Sequence, residues 1–574
     1  MRLTFIALSF AVGATLGATA QENLTKEIDV EREIVPELRA ASRMDIFPVT
    51  LRPDLKPVTL TAGELTQAAD FNPLTRRYEP AWTGAAAPVT PYRGYVDAGY
   101  FPAANFGVAA GFRAVNTPNT TLGIHTTILN RKYADKGLLA PEPDKDYKTL
   151  DINGGVDLRH RFGRKGILDV NADVDFSKFN KALHYDDQSV LRLGLGAGWK
   201  GFGANSLRYD AGIGFGLFSF GKAGFRDIPE LTDYDGLKAV SEKRLGVTLG
   251  ASLPAGEYGR AGVDFRGEFL FYNRFVPGES FAATLDEMAP FSNVGDIADL
   301  YMSHDGRNIG NFSFTPYYAL EKGIFSGKFG VRIDVTFNSG KTLHIAPDVT
   351  LGLNPTAQFG AWVKFAGGEQ LNTLGSLYAV SRYISPEFAY KTSNIPVTGE
   401  VGLRFGPVKG FALEVGGAYA VAHDWLMPAH SGAYHLNAFD IDNYSAYKVF
   451  GRLTGGWGKW VDFAMGYEHS FDAGSRSINI WYSWRDGARS VLSGDLSVHP
   501  LERLTVTVGV DGRFDRRLAA GSDFIDLRAG AQYGITDALS VFARFDNILD
   551  QHKPMVFDYT TCGFNGLFGL GYKF

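Results

Sequence analysis

Phe564-Asn565-Gly566-Leu567-Phe568-Gly569-Leu570-Gly571-Tyr572-Lys573-Phe574 is the stretch that decides the fold. Phe564, Phe568, Leu570, Tyr572 and Phe574 share one parity, and Asn565, Gly569, Gly571 and Lys573 share the other. Only Gly566 and Leu567 interrupt the pattern. A period of two puts the aromatics on one face of a strand and the small polar residues on the opposite face. With the last residue aromatic and no tail to fold over it, such a strand suits the lipid-facing wall of a barrel. The same alternation also marks the half-buried final strand of a soluble sandwich.

The preceding chain separates the two. At 150–158, Leu150, Ile152, Val156 and Leu158 alternate with Asp151, Asn153 and Asp157, and Arg159 follows. At 168–176, Leu168, Val170, Ala172, Val174 and Phe176 alternate with Asp169, Asn171, Asp173 and Asp175. The second faces of 263–269, 329–337 and 525–533 carry Asp264, Arg266 and Glu268, then Arg332 and Asp334, then Asp526 and Arg528. A soluble core has no use for ionised groups at the centre of so many second faces, whereas a water-filled lumen accepts them. These residues are therefore read as a charged, lumen-facing wall.

Connection lengths are an independent test, because bacterial barrels have short turns on the periplasmic side and longer loops outside. Short connections fall at 116–120, 161–166, 201–205, 253–258, 320–324, 354–357, 406–410, 455–459, 499–503 and 534–538. Long ones alternate with them at 132–148, 225–243, 276–308, 367–394, 423–443, 470–489 and 547–563, with shorter outer loops near 102–105, 180–188, 338–341 and 513–523. The count is about 22 strands, an even number within the single-chain range. The fold expected is all-β, a transmembrane antiparallel β-barrel over 91–574.

Composition agrees. The 68 glycines are roughly 12% of the 574 residues, against a typical value of about 7%. A net charge of −5 offers no basic excess for nucleic acid. Residues 1–20 read as an export signal, with Arg2 before an apolar run and cleavage between Ala20 and Gln21. The lone cysteine, Cys562, excludes an intrachain disulfide. Residues 21–90, rich in proline and charge, read as an extended periplasmic or lumenal segment. Together these features place the protein in the outer membrane of a Gram-negative bacterium.

Val541-Phe542-Ala543-Arg544-Phe545-Asp546-Asn547-Ile548-Leu549-Asp550, a loop, and then 566–574 resemble the closing hairpin of TonB-dependent outer-membrane receptors. The stretch from Leu371-Asn372-Thr373-Leu374 to Tyr383-Ile384-Ser385-Pro386-Glu387 is similar to a loop common in their barrels. The resemblance covers about 92–574 and implies a 22-stranded receptor barrel. It departs from the family at the N-terminus, where 21–90 is too short for the family's plug domain. Glu27-Ile28-Asp29-Val30 has the extended character of a segment that adds a strand to a partner.

Chemistry-bearing groups each have two readings. The carboxylates on 151–175 could do acid–base work or bind calcium, or form a hydrated wall balanced by Arg159. His184-Tyr185-Asp186-Asp187, and His423, His430 and His435 beside Trp425, hold metal-capable groups in outer loops, with loop packing as the other reading. Trp481, Tyr482 and Trp484 suit sugar stacking or an interfacial aromatic belt. No catalytic motif is present, no metal or cofactor is expected, and the protein is not read as an enzyme. Phe568, Leu570, Tyr572 and Phe574 are read as the barrel-insertion strand, facing outer-membrane lipid and presented to the barrel-assembly machinery. The function expected is a transport-type channel or receptor, its lumen restricted by 21–90 and by the loops at 276–308 and 367–394. The alternative is a non-transporting scaffold that docks a periplasmic partner or a surface lipoprotein through 21–90 or the outer loops.

Overall fold

The computed structural model describes residues 92–574, apart from 103–104, 135–145, 164, 181–186, 222–240, 274–307, 340, 384–391, 409, 432–435, 472–487, 517–522 and 557–558. The expected signal, the segment 21–90 and the loop 276–308 except Asn308 lie outside the described residues, as do His184, His435 and Trp481, Tyr482 and Trp484.

The first strands are β1 (Gly94–Phe101), β2 (Asn105–Asn116), β3 (Thr120–Ala134), β4 (Asp146–Arg161), β5 (Gly166–Phe179) and β6 (Gln188–Phe202). Next come β7 (Arg208–Phe220), β8 (Ser241–Pro254), β9 (Gly259–Tyr272), β10 (Ile309–Lys322), β11 (Phe325–Phe337) and β12 (Leu343–Thr356). Strand β13 (Phe359–Gln370) is followed by a short helix, α1 (Leu374–Val380), and then by β14 (Ser393–Val408), β15 (Phe411–Ser431), β16 (Leu436–Trp457) and β17 (Val461–Phe471). The chain closes with β18 (Ala488–Leu501), β19 (Leu504–Arg516), β20 (Phe524–Gly534), β21 (Leu539–Asp546), a small hairpin β22 (Pro554–Val556) and β23 (Tyr559–Thr560), and β24 (Asn565–Lys573).

Each barrel strand pairs antiparallel with its sequence neighbour, β21 pairs with β24, and β24 pairs with β1 from Tyr95↔Lys573 to Tyr100↔Phe568. The result is one closed sheet of 22 strands. Closure leaves no unpaired edge, which the hydrocarbon core of a membrane requires. The carbonyl of Phe574 completes the seam by accepting the N–H groups of Arg93 (2.7 Å) and Gly94 (2.9 Å).

The parity of the terminal strand holds in space. Phe568, Leu570 and Tyr572 are 52, 56 and 52% exposed, while Gly571 between the last two is buried. Exposed Leu195, Ile213, Phe215 and Leu249 continue the apolar outer surface round the ring. An outer surface of this kind is stable only in lipid, so the fold is that of an outer-membrane barrel.

Two departures from the expected loops matter. The region 423–443, read as a loop, is mostly ladder: β15 and β16 stay paired through Trp425↔Asp442 to Ser431↔Leu436, after a register shift at Ala422/Trp425. Trp425, Phe439 and Ile441 are good strand formers, and that preference favours continued pairing. The connection 547–563 contains the β22–β23 hairpin and buries Cys562. Burial pushes the Cys562 thiol up to about 12. It therefore stays protonated at pH 8, and maleimide is expected to label it only after unfolding. Labelling of the folded barrel at that pH, read by mass spectrometry, would contradict this placement.

Candidate functional site

The inner face carries the expected charges, and the ladder shows how they are arranged. Between β4 and β5, Asp151 stands opposite Ser177, Asn153 opposite Asp175, Gly155 opposite Asp173, Asp157 opposite Asn171 and Arg159 opposite Asp169. The carboxylates are thus interleaved with neutral or basic neighbours. Arg159 Nε donates to Asp169 at 2.7 Å, Ser177 Oγ to Asp151 at 2.7 Å and Asn171 Nδ2 to Asp173 at 3.0 Å. Arg192 and Asn153 both donate to Asp175, and His125 Nδ1 lies 3.6 Å from Asp157. Farther round, Lys328 sits 3.7 Å from Asp264 and 2.7 Å from Asp348, and Glu268 accepts from Arg244 and from Arg266 (3.0 Å). The half-exposed pairs among these, such as Arg159 with Asp169, each contribute about 0–1 kcal/mol. Among the described residues, no group of three or more His, Cys, Asp and Glu is placed to hold a metal. His423 Nδ1 meets Asn443 Oδ1 at 3.2 Å, and Trp425 packs beside Ala422 and Ala446.

Part of the wall is not hydrated. Asp334 is fully buried, and Glu268, Asp526 and Arg528 are nearly so. Neighbouring backbone covers two of them: the N–H of Glu369, at the end of β13, donates to Asp334 at 2.8 Å, and the N–H of Asn547, just after β21, donates to Asp526 at 3.0 Å. An open water-filled lumen is therefore too simple a description of this inner face.

The principal cover is the β13–β14 connection. β3 is ten steps round the ring from β13 and eleven from β14, so it belongs to the opposite wall. Residues 371–383 nevertheless reach it, since the hydroxyls of Tyr383 and Tyr133 are 3.2 Å apart. On the way, the N–H of Leu374 donates to Glu242 of β8 at 2.8 Å, and that carboxylate also accepts from Tyr272 at 2.6 Å. Arg382 lies 3.4 Å from Asp151, with its guanidinium over the Phe179 ring. Tyr383 stacks on Tyr559 at 3.5 Å between centroids.

Local sequence explains the shape of this segment. Thr373 caps α1 by accepting the N–H of Ser376 at 3.0 Å, so the first turn starts in a defined place. Leu374 and Leu377, three apart on one face, are 0 and 3% exposed. They join one apolar cluster with Tyr147, Phe179, Phe218 and Leu270. Burial of the two leucines contributes roughly 3–6 kcal/mol. By that term alone an undocked α1 has a population under about 1%. Arg382, Tyr383, Glu242 and the tyrosines were not singled out from sequence. A signal existed: Tyr133, Tyr147, Phe179, Phe220 and Tyr272 are apolar residues on the otherwise polar parity, all at outer strand ends.

A closed ring of 22 strands, apolar outside, charged within and covered at its outer mouth by its own loop, defines a large outer-membrane β-barrel. No family model matches the chain, and no curated protein matches it in sequence. Solved structures match in fold. A mutant of the ferric enterobactin receptor of Pseudomonas aeruginosa, in complex with enterobactin, has a TM-score of 0.59 at 13% identity, over 84% of this chain and 81% of that one. The siderophore receptor PirA of Acinetobacter baumannii has 0.58 at 11%, over 84% and 80%. The FrpB iron transporter of Neisseria meningitidis has 0.58 at 12%, over 84% and 81%. At such identities the likeness is one of fold, and it is the barrel fold that the C-terminal hairpin resembles.

Proposed function

We propose that the protein is an outer-membrane receptor of transport type whose lumen is restricted by residues 371–383 and by the N-terminal segment 21–90. The observation that carries this reading is the covered mouth: a barrel serving only as a scaffold has no need of a loop spanning its lumen. The similar structures bear the names of siderophore and iron receptors and an iron transporter, which supports the same class.

The inner wall supports an occupant below the mouth. β6 and β7 oppose glycine to glycine at Gly194↔Gly216, Gly196↔Gly214 and Gly198↔Gly212. Their lipid-side neighbours Leu195 and Ile213 are exposed, so these glycines face the lumen. Of these six, Gly198 alone would carry a Cβ with nothing within 4 Å, whereas Gly196 and Gly212 are met by the side chains of Asn171 and Thr248. Glycine weakens a strand interior, and an empty site beside it suits close approach by another backbone. The described residues begin at Tyr92, and Arg93 beside it pairs with the Phe574 end of the seam.

Conductance in planar bilayers tests the reading. The intact protein is expected to be silent, and the protein lacking 21–90 to give large steps. Large stable steps from the intact protein would rule out a built-in stopper. Silence in both forms would favour the scaffold reading, in which 21–90 or the projecting β15–β16 hairpin docks a periplasmic partner or a surface lipoprotein.

A further inference from the structure

We propose that residues 371–383 form a fixed crossbar across the outer mouth, so that whatever enters the barrel passes beside it and no lid swings open. The link to passage rests on the transport reading above, whereas the fixity rests on geometry alone.

Three separate attachments hold the bar. At its root, Arg332 of β11 donates to Asp334 (3.0 Å), to Ser313 Oγ (3.1 Å) and to the carbonyl of Glu369 (3.1 Å), while Asp334 takes the N–H of Glu369. The returning limb is tied into the same region, with Asn394 Nδ2 2.8 Å from His344 Nδ1 and 3.1 Å from Glu369 Oε2, and Asn372 donating to Ser393 Oγ at 3.0 Å. In the middle, Glu242 holds the N–H of Leu374 above the leucine cluster. At the far end, Arg382 and Tyr383 reach β4 and β3.

These attachments fall on different strands, so loss of one leaves the others in place. A moving lid requires the reverse: hinge residues with few buried contacts and solvated backbone hydrogen bonds. Here buried polar positions lie within the bar and on the limb that returns to β14. Asn372, Ser381, Thr392, Ser393 and Asn394 are all buried polar residues, and Ser393 is 0% exposed. Bar and wall therefore form one body, and a conformational change that opens the barrel has to occur elsewhere.

Hydrogen exchange on the refolded full-length protein tests this without knowledge of the cargo. Peptides covering 371–383 are expected to exchange within about tenfold of peptides from β11, as parts of one cooperative unit do. Exchange of the bar more than about a hundredfold faster than β11 overturns the proposal. A second readout uses intact cells carrying Leu377→Cys on a Cys562→Ser background. A membrane-impermeant maleimide added outside is expected to leave position 377 unlabelled, while labelling of the folded barrel within minutes overturns the proposal. Neither readout depends on conductance, so failure of the transport reading and failure of the fixed bar are told apart.

Discussion

Arg332→Met is expected to destabilise the barrel by about 3–5 kcal/mol, the usual cost of removing one partner of a buried ion pair. Asp334 is 0% exposed, and without Arg332 its charge keeps only the hydroxyl of Ser313 and the N–H of Glu369. The double variant Arg332→Met/Asp334→Leu is expected to recover part of the loss, because an apolar pair of similar volume is often close to neutral in a buried site. Recovery stays incomplete, since the N–H of Glu369 then loses its acceptor, at about 1–3 kcal/mol. Urea unfolding in micelles compares the wild type, the single variants Arg332→Met and Asp334→Leu, and the double variant. If the two single substitutions add up to the double, the groups are uncoupled and the proposed root of the crossbar is wrong. Because Arg332 also holds the carbonyl of Glu369, the single variant is expected to speed hydrogen exchange across 371–383 along with the global loss.

The second large effect is expected at the seam. Gly569 of β24 faces β1, where an added Cβ would lie 2.2 Å from the carbonyl oxygen of Ala98 and 2.8 Å from the Cα of Gly99. Both obstacles are backbone, so neither rotates away. Gly569→Ala must push β1 from β24, and overpacking of this kind costs about 1–3 kcal/mol or more. Gly123→Ala on β3 is the control, since nothing lies within 4 Å of its Cβ position. The amount of folded, heat-modifiable barrel in outer membranes is expected to drop about tenfold or more for Gly569→Ala and to hold for Gly123→Ala. Equal yields of the two would show that the seam tolerates a wider gap than its register implies.

Much of this architecture was legible in the chain because period-two patterning and connection length are local signals. The alternation Leu168 to Phe176 places β5 and its inner carboxylates, and the terminal aromatics place the lipid face. The crossing of the lumen by 371–383 falls within the loop 367–394 expected to restrict it. The covering of Asp334 and Asp526 was not expected, because a charge on the inner parity looks the same in sequence whether it faces water or a folded-back loop. Nor did the chain reveal how far β15 and β16 continue, since His423 and Asp424 interrupt the alternation just where the register shifts. The crossbar's far contacts, Tyr383 with Tyr133 and Arg382 with Asp151, join residues more than two hundred positions apart. No local pattern encodes such a pairing.

The seam has a consequence for biogenesis. Every ladder but one joins strands consecutive along the wall and can form as the chain is delivered, hairpin by hairpin. The exception joins residues 95–100 to 568–573 and cannot begin until the last strand has arrived. Pairing between such distant segments is slow, because a long loop must close before any contact repays it. Until then the nascent sheet carries two raw edges, each a template for a foreign strand. A chaperone that holds one edge while the other is threaded in would meet that need, and it would have to let go of β1 at the moment Gly569 slides against Gly99. Assembly of this protein should therefore halt as an open, protease-sensitive sheet whenever the final strand is delayed, even though every ladder from β1 to β21 has already formed.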